Sequence, residues 1–107
     1  MIDEADDEPC PPPPQFAGAQ VREMLIVNRK GLHARATAKF VQCVEKFDAR
    51  IHVTRCGETV GGDSIMGILT LGAAIGSTIT VSASGPQADG ALEALAALVA
   101  GRFGEDE

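Results

Sequence analysis

The chain has 107 residues, is 45% hydrophobic, and carries four Phe but no Trp or Tyr, so it holds one core built mainly from Ala, Val, Ile, Leu and Met and has no room for a second. Its formal net charge of −6 is uneven: Asp3, Glu4, Asp6, Asp7 and Glu8 load the first twenty residues, whereas residues 21–107 balance ten acids against nine bases. A near-neutral domain argues against nucleic acid or an anionic membrane as partner, and no stretch is apolar for long enough to span a bilayer.

Residues 1–20 combine the acids with Pro11, Pro12, Pro13 and Pro14 in a row. Four prolines favour an extended polyproline conformation, and the segment reads as a disordered acidic arm. The folded domain is expected over residues 21–104, with an acidic tail at 105–107. Met24-Leu25-Ile26-Val27 is an apolar run of strand length. From Ala34 to Phe47, the residues Ala36, Phe40, Val41, Val44 and Phe47 recur at helical spacing between Lys39, Gln42, Glu45 and Lys46, which predicts an amphipathic helix. Arg50 to Thr54 alternates polar and apolar, Cys56-Gly57-Glu58 is a turn, and Glu58 to Gly61 is a second short strand, so the pair forms a hairpin. The run from Ser64 to Gly72 fits a short helix with Ser64 as N-cap, although its apolar content also suits a strand. Ser77 to Ser82 is a strand with Ile79 and Val81 on one face and Thr78, Thr80 and Ser82 on the other. Ala88 to Val99 is a last helix ending near Gly101. The order βαββαβα gives an α+β sandwich, a four-stranded antiparallel sheet with three helices on one face and solvent on the other.

The chemistry concentrates at His33. It lies in Arg29-Lys30-Gly31-Leu32-His33-Ala34-Arg35, where a glycine-bearing loop runs into the first helix. A helix start offers unpaired backbone N–H groups and partial positive charge, here at Ala34 and Arg35, and the Arg35 guanidinium adds a fixed cation. Arg29, Lys30 and Lys39 add to the field as solvated bases. Together they make an anion site holding a nucleophilic nitrogen, suited to phosphoryl transfer. The alternative is a small enzyme using His33 as general base or nucleophile. Such a site needs an orienting carboxylate, and no Asp or Glu lies in the His33 loop.

Three cysteines, Cys10, Cys43 and Cys56, cannot all pair within the chain, so no disulfide framework is expected and a reducing compartment is the default. The acidic, Pro-rich start lacks the basic beginning and apolar centre of an export signal, which points to a cytoplasmic protein. His33, Cys43, His52 and Cys56 match no compact zinc spacing; no metal or cofactor is expected.

Gly31-Leu32-His33-Ala34-Arg35, Ala38 and Phe40-Val41 on the next helix, Asp63-Ser64-Ile65-Met66-Gly67-Ile68-Leu69, Leu71-Gly72, Gly76, Gly85 and the Ala/Leu-rich last helix together resemble the HPr family of histidine phosphocarriers of the bacterial phosphotransferase system. The likeness covers residues 21–104. Ala36 stands where many members have Pro, and with the ending Gly101-Arg102-Phe103-Gly104-Glu105-Asp106 this is similar to the nitrogen-related, NPr-like branch. The resemblance implies an open-faced β-sandwich and a monomeric carrier rather than an enzyme. It implies that His33 accepts phosphoryl on Nδ1 from enzyme I and passes it to an enzyme IIA-type protein, aided by Arg35 and the Ala34 and Arg35 amides. It further implies a regulatory role with phosphorylation of Ser64 by an HPr kinase/phosphorylase, and partner docking on Ile65, Met66, Ile68 and Leu69.

Overall fold

A computed structural model describes residues 10–107, so the expectation for residues 1–9 lies outside the described residues. The strands are β1 (Gln20–Leu25), β2 (Arg50–Arg55), β3 (Glu58–Gly61) and β4 (Thr78–Ser84); the helices are α1 (Ala34–Val44), α2 (Ile65–Thr70) and α3 (Ala88–Ala100). One turn of 3₁₀ helix follows at Arg102–Gly104. The strands form a single antiparallel sheet in the order β1-β4-β2-β3. The βαββαβα order and the antiparallel sheet agree with the sequence reading.

The alternation within β2 and β4 sets the two faces. Val53 pairs with Val81 and Ile51 with Ala83, while Met24 pairs with Ile79 across β1 and β4. These inward residues meet Phe40, Ile68, Leu95 and Phe103 in one core, where each large side chain is buried. Burial of this kind contributes about 1.5–3 kcal/mol per large apolar side chain. The ambiguous run after Ser64 is a helix: the Ser64 hydroxyl accepts from the Gly67 N–H at 3.0 Å, and a Cβ at Gly67 would come within 2.8 Å of that hydroxyl oxygen. The cap and the glycine therefore require each other.

Three expectations are corrected. The outer face of the sheet is not bare, because residues 10–19 cover part of it. Phe16 stacks on His52 with ring centroids 4.1 Å apart, and Pro11, Pro12 and Pro13 border a cleft over Thr54 and Thr80. Thr54, Thr80 and Ser82, which face outward, are buried as a result. This segment is fastened by a disulfide between Cys10 and Cys56, a pairing 46 positions apart that contradicts the expected absence of any bridge. Residues 10–19 are thus not a free arm. Cys43 is the free cysteine, half-buried beside the core. No helix among the described residues is long and apolar enough to cross a membrane.

Candidate functional site

The loop from Asn28 to His33 is closed from both sides. The Gly31 N–H donates to the Asn28 carbonyl at 3.1 Å, and the Asn28 side-chain amide donates to the Gly31 carbonyl at 2.8 Å. Gly31 has φ +66°, and a Cβ there would lie 2.5 Å from the Ala73 carbonyl oxygen, so only glycine fits. The next N–H, of Leu32, donates to that same Ala73 oxygen at 2.9 Å, which pins the loop to the segment after α2.

His33 is itself the N-cap of α1. Its backbone is extended, and its Nδ1 accepts from the Arg35 N–H at 3.3 Å. A nitrogen that accepts from an N–H carries a lone pair, not a proton. The ring proton therefore belongs to Nε2, and there it meets the Glu105 carboxylate at 2.5 Å. The His33 side chain is 26% exposed and that of Glu105 19%. Hydrogen bonds from His33 first and Asn28 second hold the Glu105 carboxyl below its ordinary range.

Sequence reasoning looked for a carboxylate within the His33 loop, where there is none, and missed Glu105, which the tail brings to the site. It is delivered by a turn in which Arg102, Phe103 and Gly104 all take positive φ. Such a conformation costs a non-glycine residue on the order of 1–3 kcal/mol. Burial of Phe103 in the core and donation from Lys39 Nζ to its carbonyl at 2.6 Å offset that cost. Lys39 is therefore a tail anchor and not a freely solvated base. Arg29 binds Glu107 through its backbone N–H and its guanidinium, in a surface pair worth little by itself. Arg29, Lys30, His33 and Arg35 line one cleft with Glu105, Asp106 and Glu107. The Arg35 guanidinium is exposed and makes no hydrogen bond among the described residues.

The remaining sequence candidates divide. Helices α1 and α2 pack together, which brings the Ser64 helix beside the His33 helix. On α2, Ile65 and Met66 are exposed at 43% and 70%. Leu69 is half-buried, and Ile68 belongs to the core with no exposed surface, so its expected docking role is corrected. Among the described residues no cluster of three His, Cys, Asp or Glu could hold a metal ion.

A βαββαβα sandwich whose helix-capping histidine stands in a cleft shared by bases and acids has the architecture of the phosphocarrier class. Comparison with known proteins gives the family. A family described as the PTS HPr component phosphorylation site matches residues 20–101. The phosphocarrier protein HPr of Cupriavidus necator is 46% identical over 86 residues, covering 80% of this chain and 97% of that protein. The phosphocarrier protein NPr of Shewanella violacea is 39% identical over 84 residues, covering 78% and 92%. The crystal structure of an HPr from Thermoanaerobacter tengcongensis superposes with TM-score 0.79 at 39% identity, covering 82% of this chain and 99% of that one. The chain belongs to the HPr family, the phosphocarrier proteins of the phosphotransferase system, which are carriers rather than catalysts. The family match ends at residue 101, so Phe103 and Glu105 lie beyond it.

Proposed function

We propose that His33 takes a phosphoryl group from the phosphohistidine of enzyme I and hands it to an enzyme IIA-type histidine. The observation that carries this reading is the division of labour on one ring: Nδ1 faces the Arg35 N–H with its lone pair, and Nε2 faces Glu105 with its proton. In the first transfer the Nδ1 lone pair forms the new P–N bond while the donor's P–N bond breaks, its electron pair returning to the donor imidazole. The Nε2 proton stays in place. The ring then carries a positive charge, which the Glu105 carboxylate balances. The Arg35 N–H, released once the Nδ1 lone pair is used, already points at that place, and the exposed guanidinium is free to turn to the phosphoryl oxygens, where charge is spread in the transition state. In the second transfer the same P–N bond breaks, and because Nε2 has kept its proton the leaving group is a neutral imidazole and not an anion.

Ile65 and Met66 supply an apolar edge for partner docking next to this cleft. Phosphorylation of Ser64 by an HPr kinase/phosphorylase adds about two negative charges on that edge and controls docking. The regulatory, nitrogen-related role is supported by the NPr among the relatives, at 39% identity against 46% for the HPr of Cupriavidus necator. The protein acts as a monomer in the cytoplasm, where the phosphoryl group originates on phosphoenolpyruvate and where the Cys10–Cys56 bridge is open to reduction. Incubation with phosphoenolpyruvate and enzyme I, followed by intact mass, tests the reading: one acid-labile, base-stable phosphoryl group is expected, absent from His33→Ala. Persistent labelling of that variant overturns it.

A further inference from the structure

We infer that Asn28 is a positioning residue for phosphoryl transfer, acting on His33 through Glu105. The inference rests on His33 being the acceptor, as proposed above. Asn28 has no exposed surface, yet it packs no apolar function into the core. Its side-chain nitrogen bridges two segments, donating to the Gly31 carbonyl in the His33 loop at 2.8 Å and to Glu105 Oε1 in the tail at 3.1 Å. The other carboxylate oxygen, Oε2, is the one that meets His33 Nε2. Asn28 thus holds one oxygen of Glu105 and leaves the second aimed at the ring.

The amide has only one workable orientation. Rotated by half a turn, its oxygen would face the Gly31 carbonyl and the Glu105 carboxylate, both of them acceptors. Its Oδ1 is buried with no hydrogen-bond partner among the described residues. A side chain kept only for packing would not leave a carbonyl unpaired; this one is explained by its two donors. Lys39 and Arg29 hold the tail at Phe103 and Glu107, and the Asn28 bond adds the one contact that sets the Glu105 carboxylate itself against the ring. The pattern matches that of metal-bound histidines, where a hydrogen-bonded outer partner fixes the ring tautomer.

The test is a double-mutant cycle. Asn28→Ala is made in the full chain and in the Glu105→Ala background, and two quantities are read. The first is the His33 tautomer in the unphosphorylated protein, from the imidazole ¹⁵N shifts. The second is the rate of phosphoryl uptake from enzyme I. In the full chain Asn28→Ala is expected to mix the Nε2–H tautomer with the Nδ1–H form and to slow uptake roughly tenfold, the lower end for loss of such a partner. In the Glu105→Ala background, where nothing is left for Asn28 to hold against the ring, the same substitution is expected to change neither further. An equal effect in both backgrounds, or a lowered melting temperature with tautomer and rate unchanged, overturns the inference and makes Asn28 a brace for the Gly31 turn. If Asn28→Ala does not fold, Asn28→Ser, smaller but retaining one donor, carries the same comparison, and dependence on Glu105 again decides. Failure of the carrier reading is separable: the parent would gain no phosphoryl mass, while the tautomer comparison needs no donor.

Discussion

Glu105 and His33 stand 72 positions apart in the chain, and their side chains meet at 2.5 Å. Replacing the carboxylate by an amide of the same shape keeps only one of the two acceptors that Asn28 and His33 use, and removes the charge that would balance a phosphorylated ring. Charged hydrogen bonds exceed neutral ones by about 1 kcal/mol. Glu105→Gln is therefore expected to slow phosphoryl uptake roughly five- to tenfold, read by quench-flow against the parent, with the circular dichroism spectrum unchanged.

The same contact makes stability depend on pH with a definite sign. The folded-state pKa of Glu105 lies below its ordinary value of 4.5, because His33 and then Asn28 donate to the ionised form. A depressed pKa contributes stability that is present above the ordinary value and is lost as pH falls through the folded-state value. Urea unfolding of the parent and of Glu105→Gln should therefore differ at about pH 5, and the gap should close in stronger acid. A gap that widens towards acid would show that the carboxylate is not held in this way.

Arg35 is exposed and its guanidinium has no partner among the described residues. Arg35→Ala should slow transfer while changing stability by less than about 0.5 kcal/mol, as surface substitutions do. Unaltered transfer kinetics would make Arg35 an ordinary solvated residue.

Ser64 separates a structural from a regulatory role. Ser64→Ala removes the bond from the Gly67 N–H and should cost about 1 kcal/mol of stability while leaving transfer near normal. Ser64→Asp should fold, since Asp also caps, yet receive phosphoryl from enzyme I more slowly, with partial relief by salt. Equal rates for Ser64→Asp and the parent would leave Ser64 as a cap alone.

The cysteines give a counting experiment. Without reductant, alkylation should reach Cys43 alone, and slowly, because burial pushes its thiol up despite the opposing pull of Lys46. After reduction Cys10 and Cys56 should react as well. Opening a bridge between residues 46 positions apart should lower stability by about 2–4 kcal/mol and free Phe16 from His52, which the His52 ring resonances report. Three reactive thiols before reduction would show that Cys10 and Cys56 are not joined.

What could be read from the sequence was what local periodicity encodes. The amphipathic pattern gave α1, although it ends at Val44, three residues before the predicted Phe47. The alternation in β2 and β4 assigned inward residues correctly, but it says nothing about what lies over the other face, so Thr54, Thr80 and Ser82 read as solvated. His33 and Arg35 were visible as candidates because helix-start chemistry is local. The carboxylate was not, since its approach depends on Arg102, Phe103 and Gly104 turning back together and no residue-by-residue preference announces three such conformations. A signal was present in Phe103, an aromatic between Arg102 and Gly104 after the last helix, which had to be buried somewhere. The Cys10–Cys56 pairing was hidden likewise, because an odd cysteine count states only that not all can pair.

The left-handed turn at Arg102–Gly104 has a thermal consequence. It is held by one buried ring, one lysine contact, two backbone bonds of its own and the polar contacts of Glu105 and Glu107, whereas the sheet is held by the whole core. Warming should loosen this hinge before the strands part. His33 would then keep its capping bond to Arg35 in an intact domain but lose its acidic neighbour. The carrier would become sluggish at temperatures where every global probe still calls it native, and reactivity and foldedness would separate along the temperature axis.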